Sequence, residues 1–118
     1  MYKRLTEEET KELELIIQRV KELFPSARPR LIEILFHCIG LHAMKNNDYN
    51  GNMDLYRATG VRGRFCDIWR KVIRMFNAIM LNTEMVVNEN LIETSNDSIV
   101  YHALLTEELE WERNKNAK

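Results

Sequence analysis

Apolar residues recur every three or four positions along most of this chain, which is the period of an amphipathic helix. The first periodic stretch covers about residues 6–23. Thr6 and Glu9 have the spacing of a capping box at its start, and Pro25 ends it because the residue before a proline disfavours helical geometry. A second stretch covers about residues 29–46. Both stretches are predicted to be helices.

The second half of the chain predicts two more helices, over about residues 64–81 and 88–111, with a polar tail at 112–118 that we expect to fray. Residues 47–63 carry little periodic signal and are long for a structureless connection, which is typical of a functional loop. No stretch has the alternation of a strand. The sequence therefore predicts a single all-α domain over residues 1–118, a four-to-five-helix bundle with a long central loop.

Composition narrows the class of protein. With 118 residues, 45% apolar and 30% charged, the chain has the make-up of one folded domain. Its 17 Lys and Arg against 18 Asp and Glu give a net charge of -1, so direct binding to duplex DNA is not expected. Cys38 and Cys66 form no CxxC motif, which predicts two buried, reduced thiols in a cytoplasmic protein. No apolar run is long enough to predict a membrane span.

Acidic residues stand four positions apart in the last predicted helix: Glu89, Glu93 and Asp97, followed by Tyr101. This spacing places them on one helix face, where like charges repel by a few tenths of a kcal/mol per pair, on the order of 0.2–0.5. The segment 94–98 adds residues that favour helices poorly. Stacked carboxylates suit Mg²⁺. The alternative is a solvated acidic face that binds nothing.

Two basic or polar faces could complete a site. Lys71 and Arg74 stand one turn apart in the third helix, and arginine and lysine are common phosphate ligands. The alternative is a solvated face in which Asp67 pairs with Lys71. In the second helix, His42 and Lys45 share a face with Tyr49 if the helix extends that far. For the histidine, the alternative is an ordinary core or surface residue with one hydrogen bond.

In order, these patterns resemble the nucleotide-modification-associated domain of small phage and bacterial proteins, over about residues 31–109. That family carries a KxxDYG-like helix end, a KxxRI-like helix and an ExxxDxxxDxxxY-like last helix. The matching residues are His42, Lys45, Asp48 and Tyr49, then Lys71 and Arg74, then Glu89, Glu93, Asp97 and Tyr101.

The resemblance implies a fold and a chemistry. The family is grouped with the all-α MazG-like nucleoside triphosphate pyrophosphatases, which bind Mg²⁺ through acidic residues on two helices and usually build their sites between subunits. It implies a Mg²⁺-dependent nucleotide pyrophosphohydrolase of phage or bacterial nucleotide metabolism or modification, located in the cytoplasm (the host's, if phage-encoded). The wide apolar faces of the second and third predicted helices in addition predict a homo-oligomer. The resemblance implies these roles: metal ligands Glu89, Glu93, Asp97 and Asp48, the last three also catalytic; and nucleotide contacts from Lys45, Lys71, Arg74, Tyr49, Tyr101 and His42.

The sequence also departs from the family pattern. Glu93 stands where aspartate is usual, and the second helix lacks the paired EExxE carboxylates of MazG proteins, with Glu33 its only acidic residue before Asp48. Either Asp48 supplies the missing ligand, or the chain binds a nucleotide or a DNA-modifying partner without turnover. A third alternative is a plain helical interaction protein whose charged clusters are all solvated.

Overall fold

The structure is a computed structural model that describes residues 4–48, 60–81 and 90–116. These residues form four α-helices and no strand, which confirms the prediction of an all-α fold. The helices are α1 (Glu7–Leu23), α2 (Pro29–Asp48), α3 (Gly60–Met80) and α4 (Leu91–Asn116). None of the described helices combines the length and the hydropathy needed to cross a membrane.

The chain divides into two compact units. The first, Met1–Gly51, contains α1 and α2, and the second, Asn52–Lys118, contains α3 and α4. Within each unit the two helices pack against each other. The prediction of one domain over residues 1–118 stays a prediction.

The predicted capping box begins α1. The Thr6 hydroxyl accepts a hydrogen bond from the Glu9 backbone N–H at 3.1 Å, and the Glu9 carboxylate accepts one from the Thr6 N–H at 3.1 Å. Two of the N–H groups that a helix start leaves without intrahelical partners are thereby satisfied. At the other end, the Phe24 N–H donates to the Val20 carbonyl at 3.0 Å. The ends of α1 therefore follow from local sequence alone.

Glu33 ties α2 to α1. Its carboxylate accepts hydrogen bonds from Lys21 Nζ at 2.7 Å and from Arg30 Nη1 at 3.1 Å. The Lys21 hydrogen bond, followed by the Arg30 hydrogen bond, lowers the pKa of Glu33 below its ordinary value. Beside this contact, α1 and α2 leave an open groove of about 450 Å³. Its lining includes Leu13, Phe36, His37 and Gly40.

The helices α3 and α4 run antiparallel. Lys71 contacts Asp97 near the middle of the pair, and a methyl group placed on Gly60 would lie 3.8 Å from Oε1 of Glu112. The N-terminal part of α3 therefore lies beside the C-terminal part of α4. Gly60 itself has a φ of +60°, a conformation that favours glycine over residues with a Cβ.

Four helix ends differ clearly from the sequence prediction. The second helix continues through Asp48, the third begins at Gly60 instead of residue 64, and the fourth spans Leu91–Asn116 instead of residues 88–111. The last difference has a local cause at each end. Asn90 caps the start of α4, and Lys115 lies over the Trp111 ring at 5.1 Å, a contact that favours continued helix in the tail.

The two thiols differ in environment. Cys38 is buried, as predicted, but Cys66 is exposed, so the prediction was wrong for the second cysteine. Both are free thiols. Cys66 was assigned to the core because it lies within the apolar pattern of the third helix, but that helix turns only part of its apolar surface toward α4.

We expect Glu33→Gln to lower the free energy of unfolding at neutral pH, because the amide cannot carry the charge that Lys21 and Arg30 hold. The folded-state pKa of Glu33 is lowered from its ordinary value of 4.5, so its contribution is present above pH 4.5 and is lost as the pH falls through the folded value. Urea unfolding at about pH 7 and about pH 2.5 tests this. The contact is partly exposed, so added salt should shrink the difference.

Glu12→Gln, an equivalent change at an exposed position of α1, is the matched control. An equal loss of stability for Glu33→Gln at both pH values would contradict the role assigned to its charge.

Candidate functional site

The candidate site is centred on a contact between α3 and α4. Lys71 Nζ donates a hydrogen bond to Oδ2 of Asp97 at 3.3 Å, and the two side chains are only 17% and 15% exposed. These residues are 26 positions apart, and the sequence assigned one to phosphate binding and the other to metal binding. The structure brings them together. Asp67, expected as a partner of Lys71, forms an ion pair with Arg70 instead.

Two predicted residues lie one turn away from this contact. Arg74 follows Lys71 by three positions on α3, and Tyr101 follows Asp97 by four on α4. These spacings place each near the same side of its helix as the ion pair. Both side chains are partly buried, and both interact with other groups. Because the helices are antiparallel, Arg74 and Tyr101 lie on opposite sides of the Lys71–Asp97 contact along the pair.

Glu93 has a local structural task at the start of α4. The Asn90 side-chain oxygen accepts a hydrogen bond from the Glu93 N–H at 2.8 Å, and the Asn90 Nδ2 donates to the Glu93 carboxylate at 3.4 Å. This is N-capping, which is worth about 1 kcal/mol. The favourable position of a carboxylate in the first turn adds to it. Glu93 remains exposed, one turn before Asp97.

Two hydroxyl residues of the 94–98 segment, Thr94 and Ser98, have a structural role that their sequence did not predict. Thr94 is completely buried, and its hydroxyl donates to the Asn90 carbonyl at 3.1 Å. Ser98, one turn later, is also buried. Burial in the seam therefore accounts for two of the poor helix formers in the segment, Thr94 and Ser98.

A second polar level lies further along the same pair of helices. Arg64 is 3% exposed and Glu108 is 2% exposed. Arg64 follows Gly60 by four residues while Glu108 precedes Glu112 by four, so the antiparallel register places them at the same level. The apolar periodicity of the sequence gives no indication that these two charged residues are buried. Residues 94, 98, 101, 105 and 108 follow one another at intervals of 4, 3, 4 and 3. This is the spacing of a packed helix seam, and it predicts the seam once polar residues are counted as candidates for burial.

The region around Lys71 and Asp97 contains some of the ligands that a Mg²⁺ ion needs. Within the described residues no three His, Cys, Asp or Glu side chains lie close enough together to hold a metal ion. Glu93 and Asp97 offer carboxylates one turn apart, each already engaged by Asn90 or by Lys71. Mg²⁺ commonly binds through one or two carboxylates, with water and substrate phosphates completing its octahedron. The two carboxylates fit a Mg²⁺ ion that arrives with a nucleotide.

The remaining predicted residues belong to the first unit or lie beyond the described part. His42 and Lys45 are on α2, and both are partly buried. The Nδ1 atom of His42 is buried and has no hydrogen-bond partner among the described groups, while Lys45 has an interaction. The Asp48 backbone ends α2, but its side chain, together with Tyr49 and Glu89, lies outside the described residues. That these five residues share a site with Asp97 stays a prediction.

No protein-family model, no curated protein and no solved structure gives a significant match to the chain. The resemblance to the nucleotide-modification-associated domain therefore stays a prediction.

We expect Lys71 and Asp97 to be coupled energetically, because each shields the other's charge in a partly buried position. A double-mutant cycle with Lys71→Met and Asp97→Asn, followed by urea unfolding, should give a coupling energy of about 0.5–3 kcal/mol. The same cycle with Arg19 and Glu22, an exposed ion pair of α1, is the control and should give less, about 0.2–1 kcal/mol. Additive effects of the Lys71 and Asp97 substitutions would show that the contact contributes nothing to folding.

Proposed function

We propose that the chain binds a nucleotide through its phosphates at the Lys71–Asp97 region and, with Mg²⁺, hydrolyses a nucleoside triphosphate to the monophosphate and pyrophosphate. The observation that carries the proposal is the contact between Lys71 and Asp97, which joins the basic and the acidic motif in one place. The resemblance to the MazG-like pyrophosphatases supplies the reaction and a role in phage or bacterial nucleotide metabolism or modification.

Phosphate binding follows from the charges on α3. Lys71 presents an ammonium group held in a partly buried position by Asp97, and Arg74 lies one turn further along the helix. Hydrogen bonds from such cations to phosphate oxygens are short and strong. A phosphate that displaces Asp97 from Lys71 replaces one anion by another. The ammonium group therefore keeps a counter-charge.

Asp97 then becomes available for the metal. Asp97 and Glu93, one turn apart on α4, would hold Mg²⁺ together with the nucleotide phosphates. When bound, Mg²⁺ neutralises phosphate charge and makes an attacking water more acidic. Lys71 and Arg74 would stabilise the charge that develops on the phosphates as the water oxygen bonds to the α-phosphorus and the bond to the pyrophosphate oxygen breaks. Tyr101, one turn from Asp97, is placed to contact the sugar or base.

Binding without turnover is the second candidate, and one observation favours it. The described residues offer two carboxylates on this face and no group of three potential metal ligands. A protein that held a nucleotide with Lys71 and Arg74 and needed no activated water could manage with such a set. In this case the chain would sequester a nucleotide or present it to a DNA-modifying partner.

A nucleotide panel separates these candidates. The full chain is mixed with each NTP and dNTP, with and without Mg²⁺, and both the thermal shift and the release of pyrophosphate are measured. We expect one or more nucleotides to raise the Tm when Mg²⁺ is present and to be hydrolysed. A shift with the nucleotide recovered intact supports binding alone. The absence of both shift and release over the whole panel would refute a nucleotide site.

Lys71→Ala is expected to weaken nucleotide binding by about tenfold or more, because a charge-assisted hydrogen bond to phosphate is worth about 1.5–3 kcal/mol. Isothermal titration with the nucleotide found in the panel measures this. Lys11→Ala, the same change at an exposed position of α1, should leave the affinity unchanged. Equal affinities for the Lys71 variant and the native chain would remove the phosphate site from α3.

Asp97→Asn separates hydrolysis from binding. If Asp97 holds the metal, this variant should lose pyrophosphate release and the Mg²⁺-dependence of the thermal shift. Loss of neither would show that Asp97 only pairs with Lys71.

A further inference from the structure

The Lys71–Asp97 contact joins, in one ion pair, the group proposed to bind phosphate and a group proposed to bind metal. Lys71 Nζ donates to Oδ2 of Asp97, and the two side chains are 17% and 15% exposed. Because α3 and α4 pack together, the carboxylate stays beside the ammonium group at a high effective concentration, on the order of millimolar or above. An anion from solution therefore reaches Lys71 only in competition with Asp97.

The length of the contact indicates that Asp97 can be displaced. Its N···O distance is 3.3 Å, whereas hydrogen bonds between an ammonium group and a carboxylate are usually about 2.7–2.9 Å long. The hydrogen bond from Lys21 to Glu33, for comparison, measures 2.7 Å. The Lys71–Asp97 hydrogen bond is thus longer and weaker than a well-aligned one. A ligand that interacts more strongly with both groups can open it.

The charges around Lys71 distinguish two kinds of phosphate ligand. A phosphate anion without a cation meets the carboxylate of Asp97 and, one turn away on α4, that of Glu93. Like charges repel it there. A phosphate chain that carries a divalent cation presents this cation to the same carboxylate oxygens, which are the ligands such cations prefer. The same two carboxylates therefore disfavour the first ligand and favour the second.

We propose that Asp97 is a specificity-determining residue that closes the phosphate site. It excludes metal-free phosphate anions from Lys71, and it leaves the ammonium group only when the phosphate chain carries a divalent cation. The inference rests on the proposed function, because it takes Lys71 as the phosphate-binding group. In the proposed reaction, pyrophosphate that has lost its cation would be displaced from Lys71 as the contact with Asp97 forms again.

The first test measures the binding of pyrophosphate to the full chain by isothermal titration, with a chelator present to remove divalent cations. We expect Asp97→Asn to bind about tenfold more tightly than the native chain or better, because the amide lacks the charge that competes for Lys71. The gain should disappear when Lys71→Met is added to Asp97→Asn. Glu110→Gln is the matched control, since it removes one negative charge at an exposed position of the same helix, and it should leave the affinity unchanged.

The second test examines the metal side of the contact and does not require the Asp97 variant to fold. Mn²⁺ prefers the same oxygen ligands as Mg²⁺, and its binding in the absence of phosphate can be followed by electron paramagnetic resonance. Lys71→Met removes the ammonium group from Asp97, so we expect it to bind Mn²⁺ several-fold more tightly than the native chain. Lys11→Met, the same change at an exposed position of α1, should bind Mn²⁺ as the native chain does.

Two outcomes would overturn the proposal. One is a folded Asp97→Asn variant that binds metal-free pyrophosphate no more tightly than the native chain, or whose gain survives the loss of Lys71. The other is an unchanged Mn²⁺ affinity in Lys71→Met.

Failure of the proposed function gives a different result. If the native chain hydrolyses a nucleotide with Mg²⁺ while Asp97→Asn gains no affinity for metal-free pyrophosphate, the proposed function stands and exclusion by Asp97 is wrong. If Asp97→Asn gains this affinity while the native chain binds no nucleotide of the panel, exclusion by Asp97 stands and the nucleotide function is wrong.

Discussion

Burial of charged side chains between α3 and α4 is the constraint on which this half of the structure depends. Arg64 and Lys71 turn inward from α3, and Asp97 and Glu108 turn inward from α4. A charge taken out of water costs several kcal/mol, on the order of 3–5 when its partner is removed, unless an opposite charge meets it. The cations lie on one helix and the anions on the other. The Lys71–Asp97 contact favours the observed register, since sliding α4 by one turn toward the N-terminus of α3 would move Asp97 away from Lys71 and to the level of Ile68.

The same constraint bears on the proposed site. A cation that must always have a counter-charge can exchange one anion for another but cannot be left alone. On the proposed function, the nucleotide phosphates and Asp97 compete for Lys71, and Mg²⁺ gives Asp97 a new partner. Nucleotide and metal would then bind better together than either does alone, because each resolves the imbalance that the other creates. A metal site complete without the nucleotide would have no such coupling. The two engaged carboxylates of α4 are consistent with this account.

Local sequence signals were enough to predict most of the helices. They failed where a helix end or the burial of a side chain depends on other contacts. The Thr6 and Glu9 capping box depends on four consecutive residues, and it formed as expected. The start of α4 was misplaced because Asn90 was not weighed as a cap. The burial of Arg64 and Glu108 was missed for a deeper reason. Periodicity treats a charged residue as exposed, whereas these two are buried at the same level of the helix pair although they lie over 40 positions apart in sequence, which is known only once the helices pair.

For the site, the motifs named Lys71 and Asp97 without predicting that they touch. Spacing within a helix shows which side chains share a face, but only the antiparallel register shows which faces meet. The side chains of Asp48, Tyr49 and Glu89 lie outside the described residues, so the geometry of the candidate site comes from α3 and α4 alone.

In α3 a charged side chain is buried while aromatic side chains are exposed, which is the reverse of the usual arrangement. This affects the stability of the α3–α4 pair. Among the described residues the buried apolar side chains are Ile32, Cys38 and Ile68, while Arg64 and Thr94 are buried and Phe65 and its neighbours are not. Ion pairs give a seam its register but little net stability, and apolar burial supplies most of the free energy of folding. An α3–α4 pair that keeps its charges inside and its aromatic rings outside is poorly stabilised on its own. Apolar cover for Phe65, Trp69 and Phe76 would add the burial that the charged seam does not provide, and would stabilise this half of the chain.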